Sequence, residues 1–507
     1  MSRRPAAILS ALATALVVAV ALVAALGAGD ADAGAEARAK GAALVPADAV
    51  AYASVSMSRD GAQWQALEGL AARVPGGDDK LAELDAMMAA DGEGAVLRAL
   101  GGDISVGLLG VDLAGGLEPS ADAVLVATEA DGAALVRELE RMGFAAGPAI
   151  DGAPVWEKGA SALAVDGSLV LGATSRATLR EALEVRAGSA PSLADEAAFR
   201  ATVERLPDDP LALAYLSPAR LAPLAQAAAA LVPEQESGDL PNAQAQITDL
   251  VAALGDVRGL GIAVRAEAGG LRVAAAGDAD EAALAARGAA VPTAFAPTLT
   301  GRVPADAAGA IVFADLGPRL LAVIEQLEAA SPQMAGYIAS IEAATGIGLR
   351  DGLVPALTGQ HALVALDGEE PQGALLLAPP NPAAAGATIG RLVGALDAAG
   401  LREGKAGEIA ATRQEGGSVI AIGNAPGLAA TPERALADDA AFRATRDAAG
   451  VPGQVTGLAW ANADALRRMA AEKAAEKGEE LPAALDAVSG VIAWGEPGSA
   501  GAYIAIR

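Results

Sequence analysis

Cysteine is absent from the 507 residues, which excludes disulfides, thiol nucleophiles, iron–sulfur clusters and thiolate zinc sites. Histidine occurs once, at His361, so neither a two-histidine metal motif nor a Cys–His pair can be assembled. A Ser-His-Asp triad would have to use His361, which opens a predicted strand, and the chain has no Gly-x-Ser-x-Gly elbow. His361 is therefore read as structural. Aromatic residues make up only 3% of the chain, and Trp64, Trp156, Trp460 and Trp494 are too dispersed for a sugar-binding platform. They are expected to be packing anchors. Basic residues are also scarce: 36 Lys and Arg against 63 Asp and Glu leave a net charge of −27. A phosphate backbone would be repelled, so no nucleic-acid partner is expected.

Hydrophobic residues still make up 53% of the chain, so the cores are expected to be thin layers of Ala, Val and Leu. The length exceeds that of one ordinary compact domain, and two or more cores follow. Arg3 and Arg4 precede a nearly unbroken apolar run from Pro5 to Gly29, in the order of a signal peptide or a membrane-spanning helix. The expectation is an N-terminal anchor over residues 1–29, with cleavage near Ala33 as the alternative. Either way the remainder is exported, leaving Arg3 and Arg4 inside. Residues 30–43 lack apolar periodicity and are expected to form a tether.

What the chain does contain is a duplication. Residues 193–202 read Leu-Ala-Asp-Glu-Ala-Ala-Phe-Arg-Ala-Thr and residues 436–445 read Leu-Ala-Asp-Asp-Ala-Ala-Phe-Arg-Ala-Thr, identical at nine of ten positions. Each stretch reads as a helix start. Asp195 with Glu196, and Asp438 with Asp439, place carboxylates on the first free N–H groups, and Phe199, Val203 and Leu206 follow on one face. The openings match as well, Leu44-Val45-Pro46-Ala47-Asp48 against Arg302-Val303-Pro304-Ala305-Asp306. Between these landmarks apolar strands recur in the same order, and each copy closes with a hairpin. Repeats are therefore expected over 44–290 and 302–507. Short Gly-rich turns between strands predict an α+β fold with largely antiparallel sheets, covered on one face by helices. Residues 230–245 and 278–302 are expected to be exposed loops or hinges.

Signatures of chemistry fail on inspection. Gly404-Lys405 suggests a phosphate loop, but Ala399 stands where the first glycine is required and Ala406 where Ser or Thr must hold magnesium. Gly259 and Gly261 lack the third glycine and following helix of a dinucleotide fingerprint. Paired carboxylates at Asp78-Asp79, Asp208-Asp209, Glu369-Glu370, Asp438-Asp439 and Glu479-Glu480 are adjacent residues, without the facing geometry of acid–base catalysis or the alternating ligands of a calcium loop. They are read as solvated acidic surface. No catalytic, cofactor-binding or metal-ligating residue is assigned, and no cofactor is expected.

The export segment, the opening Leu44-Val45-Pro46-Ala47-Asp48-Ala49-Val50-Ala51-Tyr52, Trp64 and the helix start at Ser192-Leu193-Ala194-Asp195 together resemble a family of high-GC actinobacteria known as domain of unknown function 3352. The resemblance runs from about Leu44 to the C-terminus. It implies a bacterial, membrane-attached or exported protein and gives no residue a role. The expected function is a non-enzymatic envelope protein that binds a ligand or protein partner. The alternative is an extracytoplasmic hydrolase working with carboxylates alone, which would need acids from distant stretches to converge in one pocket.

Overall fold

The computed structural model describes residues 40–90, 92–112, 120–223, 256–286, 292–330, 332–368, 372–398, 410–413, 417–477 and 483–507. The anchor expected over residues 1–29 and the loop expected over 230–245 lie outside these. Among the described residues no helix is long and apolar enough to cross a membrane. The chain divides into two compact units, Met1–Asp280 and Glu281–Ala505.

In unit 1 ten strands form one antiparallel sheet: β1 (Ala51–Ser56), β2 (Asp103–Asp112), β3 (Ser120–Ala127), β4 (Ala145–Ile150), β5 (Ala153–Lys158), β6 (Ser161–Asp166), β7 (Leu169–Ala173), β8 (Ala212–Leu216), β9 (Val257–Glu267) and β10 (Gly270–Ala279). Their spatial order is β4-β5-β6-β7-β3-β2-β1-β8-β9-β10. Helices are α1 (Ala62–Ala71), α2 (Gly77–Ala89), α3 (Glu93–Leu100), α4 (Gly132–Arg141), α5 (Arg176–Arg186) and α6 (Ala197–Val203).

Unit 2 repeats the plan with β11 (Ala307–Ala314), β12 (Gln360–Leu366), β13 (Gln372–Ala378), β14 (Ala410–Arg413), β15 (Ile420–Gly423), β16 (Gly457–Asn462), β17 (Val488–Glu496) and β18 (Ser499–Ile506). The order β14-β15-β13-β12-β11-β16-β17 matches β6-β7-β3-β2-β1-β8-β9 strand for strand. Its helices are α7 (Leu316–Ala330), α8 (Pro332–Thr345), α9 (Pro382–Ala398), α10 (Ala440–Ala448) and α11 (Ala463–Lys477).

Helices pack on both faces of each sheet, not one, although part of one face of unit 2 at β11 and β12 stays exposed. In unit 1, Val124, Val126, Leu171 and Leu213 pack with Leu179 and Leu183 of α5 and Phe199 and Val203 of α6. The alternate residues Leu125, Ala127, Leu163 and Val170 pack on the other side with Leu100 of α3 and Leu135 and Leu139 of α4. Unit 2 divides in the same way: Leu376 and Ala421 face Phe442 of α10, while Leu377 and Ile420 face Ala385 and Ile389 of α9. Unbroken apolar runs such as Ala162–Val165, buried at every position, are what a strand covered on both faces requires.

Two boundaries also differ from expectation. Gly41 and Ala42, assigned to the tether, are buried at the start of unit 1. The described residues of 278–302 are built into the fold only at their ends: Asp278 is 8% exposed in β10 and Leu299 enters the core of unit 2, whereas Asp280, Glu281, Ala282, Pro292, Thr293, Ala296 and Thr298 are exposed as expected.

Candidate functional site

The two sequence signatures of each copy are bonded to each other. In unit 1 Pro46 bridges Ser192, Leu193 donates its N–H to the Val45 carbonyl (2.8 Å), and Ala47 donates to Pro191 (3.1 Å). In unit 2 Pro304 bridges Ala435, Leu436 donates to Val303 (2.8 Å), and Ala305 donates to Arg434 (3.0 Å). The acidic residues cap the following helix. Glu196 accepts from Ala198 N–H at 2.8 Å, and Asp439 accepts from Ala441 and Phe442 N–H, both at 3.0 Å. Asp195 instead accepts from the backbone and hydroxyl of Ser192, which hold its carboxyl below the usual carboxylate range.

Below each cap the shared phenylalanine meets aromatic residues of the central sheet edge-on: Phe199 against Tyr215 at 5.0 Å and Tyr52 at 5.7 Å, Phe442 against Trp460 at 5.4 Å. The closing threonines sit over glycines of the next strand. A Cβ on Gly259 would lie 2.5 Å from Thr202 Oγ1, and one on Gly490 would lie 2.9 Å from Thr445 Oγ1 and 2.5 Å from Trp460 Cη2. These glycines serve close helix–sheet approach, which accounts for Gly259 without any nucleotide.

The corner next to this junction differs between the copies. In unit 1 Arg220, just beyond β8, fills it. Its guanidinium donates to the carbonyls of Ala47 (2.5 Å) and Ala49 (3.1 Å) and to Glu196 Oε1 (3.2 Å). Beside it burial, reinforced by the Glu196 charge, pushes the Tyr215 hydroxyl up to about 12.

In unit 2 the position of Arg220 is held by Ala465, counting from the aligned pair Tyr215 and Trp460, and the corner opens into a recess of about 510 Å³. Asp306, Asp367, Asp439 and Asp464 line it, with Arg434, Arg468 and Trp460. Among the described residues no side chain donates to the carbonyls of Ala305 or Ala307, the counterparts of Ala47 and Ala49. Arg434 reaches Asp439 at only 3.7 Å with 67% of its side chain exposed, whereas Arg468 pairs with Asp367 and Arg467 with Asp464. Trp460 is 5% exposed and its buried indole N–H has no partner among the described residues.

The residues weighed from sequence fall elsewhere. His361 is fully buried on β12, its Nε2 3.0 Å from the Leu357 carbonyl, and burial lowers its pKa. Trp64 and Trp494 are buried like Trp460, and Trp156 packs at the margin of a core cluster. Asp78 and Asp79 open α2. Asp209 sits in a left-handed turn (φ 47°), where burial raises its carboxyl pKa. Gly404, Lys405, Glu369, Glu370, Glu479 and Glu480 lie outside the described residues. Among the described residues no group of three or more histidines and acids is placed to hold a metal ion.

A family model described as "Protein of unknown function (DUF3352)" matches residues 146–406, just over half of the chain. The chain belongs to the DUF3352 family. That match crosses from unit 1 into unit 2 and includes β5 to β13, so it spans parts of both copies. No curated protein matches this DUF3352 chain in sequence. A solved structure titled "Structure of crystal form III of TP0453" is similar at 9% identity over 47% of this chain and 80% of that one, with a TM-score of 0.25, too low to carry an argument.

Proposed function

We propose that this DUF3352 protein is a non-enzymatic bacterial envelope protein, anchored by its N-terminal apolar run or secreted after its removal, that binds a ligand or protein partner through the recess of unit 2. The observation that carries the reading is the difference between the copies: one corner is closed by the chain's own Arg220, and its counterpart stands open and charged. Its volume lies within the range of small-ligand sites, roughly 300–1,000 Å³.

Hydrolysis by carboxylates is less well supported. Acids from distant stretches do meet in the recess, but Asp439 is engaged by helix N–H groups and Asp367 and Asp464 by arginines. A general acid needs a raised pKa. Among the described residues the carboxyls raised mainly by burial are Glu181 and Asp209, both in unit 1 and outside the recess. An apolar ligand draws support from a different surface, where Ile311 and Leu363 are paired across β11 and β12 and remain 48% and 51% exposed.

The test is a thermal-shift screen of the full chain against charged and polar small molecules and short peptides, run beside ester and glycoside turnover assays. Binding that weakens in Asp306→Ala supports the reading. Turnover abolished by the same substitution overturns it. Native mass spectrometry of detergent-extracted protein examines the apolar form, which fails if no lipid mass accompanies the chain.

A further inference from the structure

Resting on that reading, we propose that the recess of unit 2 binds a guanidinium group, with a ligand's arginine side chain taking the place that Arg220 holds in unit 1. The duplication supplies the template. The acceptors that Arg220 uses are the carbonyls of Ala47 and Ala49 and the carboxylate of Glu196. The corresponding groups in unit 2 are the carbonyls of Ala305 and Ala307 and the carboxylate of Asp439, held on the same strand start and the same helix cap; Ala305 and Asp439 line the recess, while Ala307 is buried and paired with Leu366.

Ala465 stands where Arg220 would be, is itself 1% exposed, and is too short to reach any of them. The copy that lacks the internal cation has therefore kept the acceptors for one. Charge agrees, since four carboxylates line the recess against two guanidiniums, and one of those two, Arg434, is largely exposed and weakly engaged. Trp460 forms part of the wall, and an indole face favours a planar cation over a neutral group. A guanidinium is preferred to an ammonium because the template uses both terminal nitrogens: one spans two carbonyls while the other reaches the carboxylate, a fork that a single ammonium does not reproduce.

The test is calorimetric titration of the full chain with N-acetyl-L-arginine methylamide, free L-arginine and the neutral isostere N-acetyl-L-citrulline methylamide, at low and at physiological salt. The arginine amide is expected to bind at least tenfold more tightly than the citrulline amide, and more weakly at the higher salt. Asp439→Asn keeps a helix-capping oxygen while removing the charge, and should lose at least tenfold. Ala465→Arg should close the corner as in unit 1 and abolish binding, with far-ultraviolet circular dichroism showing that the variant is folded. Arg434→Gln should tighten binding by removing a competing cation.

Equal affinity for free arginine and the amide points to a small-molecule source, and preference for the amide points to an arginine of a protein partner. Both outcomes support the guanidinium assignment. Absence of binding by the arginine amide at 10 mM, or equal binding of the citrulline amide, overturns it. A neutral or anionic ligand that the screen finds and that Ala465→Arg expels would overturn the guanidinium assignment and leave the binding function standing.

Discussion

At the scale of single residues, side chains forced into close approach explain why the repeated stretch is so well matched between copies. Phe442 and Thr445 press on Trp460 and Gly490, as Phe199 and Thr202 press on Tyr215 and Gly259. Gly490→Ala would place a methyl group 2.5 Å from a buried indole ring. The ~0.5–1 kcal/mol that alanine gains over glycine in a strand is outweighed by overpacking of about 1–3 kcal/mol. Urea unfolding should show a net loss of stability, and an unchanged midpoint would refute the contact.

His361 makes a second residue-scale prediction. Burial holds its folded pKa below the ordinary value of 6.5, opposed by the Leu357 carbonyl and the Asp315 charge. Below pH 6.5 the unfolded chain takes up a proton that the folded chain refuses, so this contribution to stability is intact above that pH and is lost as pH falls beneath it. His361→Gln should therefore lose less stability than the parent between pH 7.5 and pH 5, measured by denaturant unfolding at both. Equal losses would show that the imidazole does not titrate differently on folding.

At the scale of elements, α6 and α10 are short helices whose stability comes from what they cover. Phe199 and Phe442 are each 1% exposed, and truncating either to alanine should cost about 3–5 kcal/mol, read from the denaturation midpoint. These helices were legible in the sequence because capping carboxylates and apolar spacing are local signals. Asp439 and Glu196 do cap, and Phe199 and Val203 are buried on one face, with Leu206 buried just beyond the helix end. The strands β4 to β6 were not legible. Their pairing depends on partners such as β7 that the local pattern does not identify, and Ala-Gly-Pro-Ala in β4 carries little strand propensity.

The whole molecule carries a net charge of −27 and begins with an apolar run outside the described residues. Unit 1 is packed from Gly41 onward, with Ala42 fully buried. Removing residues 1–39 should therefore leave the thermal unfolding transition unchanged while moving the protein from the membrane pellet to the soluble fraction. Retention of the shortened chain in the pellet would count against the anchored form of the proposal.

Order along the chain was enough to establish two copies, their α+β character and their antiparallel strands, because caps, turns and apolar alternation are written within a few residues of one another. The covering of both sheet faces, the bonding of each copy's opening to its helix start, and the recess itself were decided only by the folded structure. The change is silent in one dimension: Ala465 reads as an ordinary helical alanine, and only the fold shows that Ala305 and Asp439, whose counterparts Ala47 and Glu196 accept from Arg220 in the other copy, line an open recess. A missing side chain becomes a cavity only when the groups around it come from strands and helices far apart in the chain.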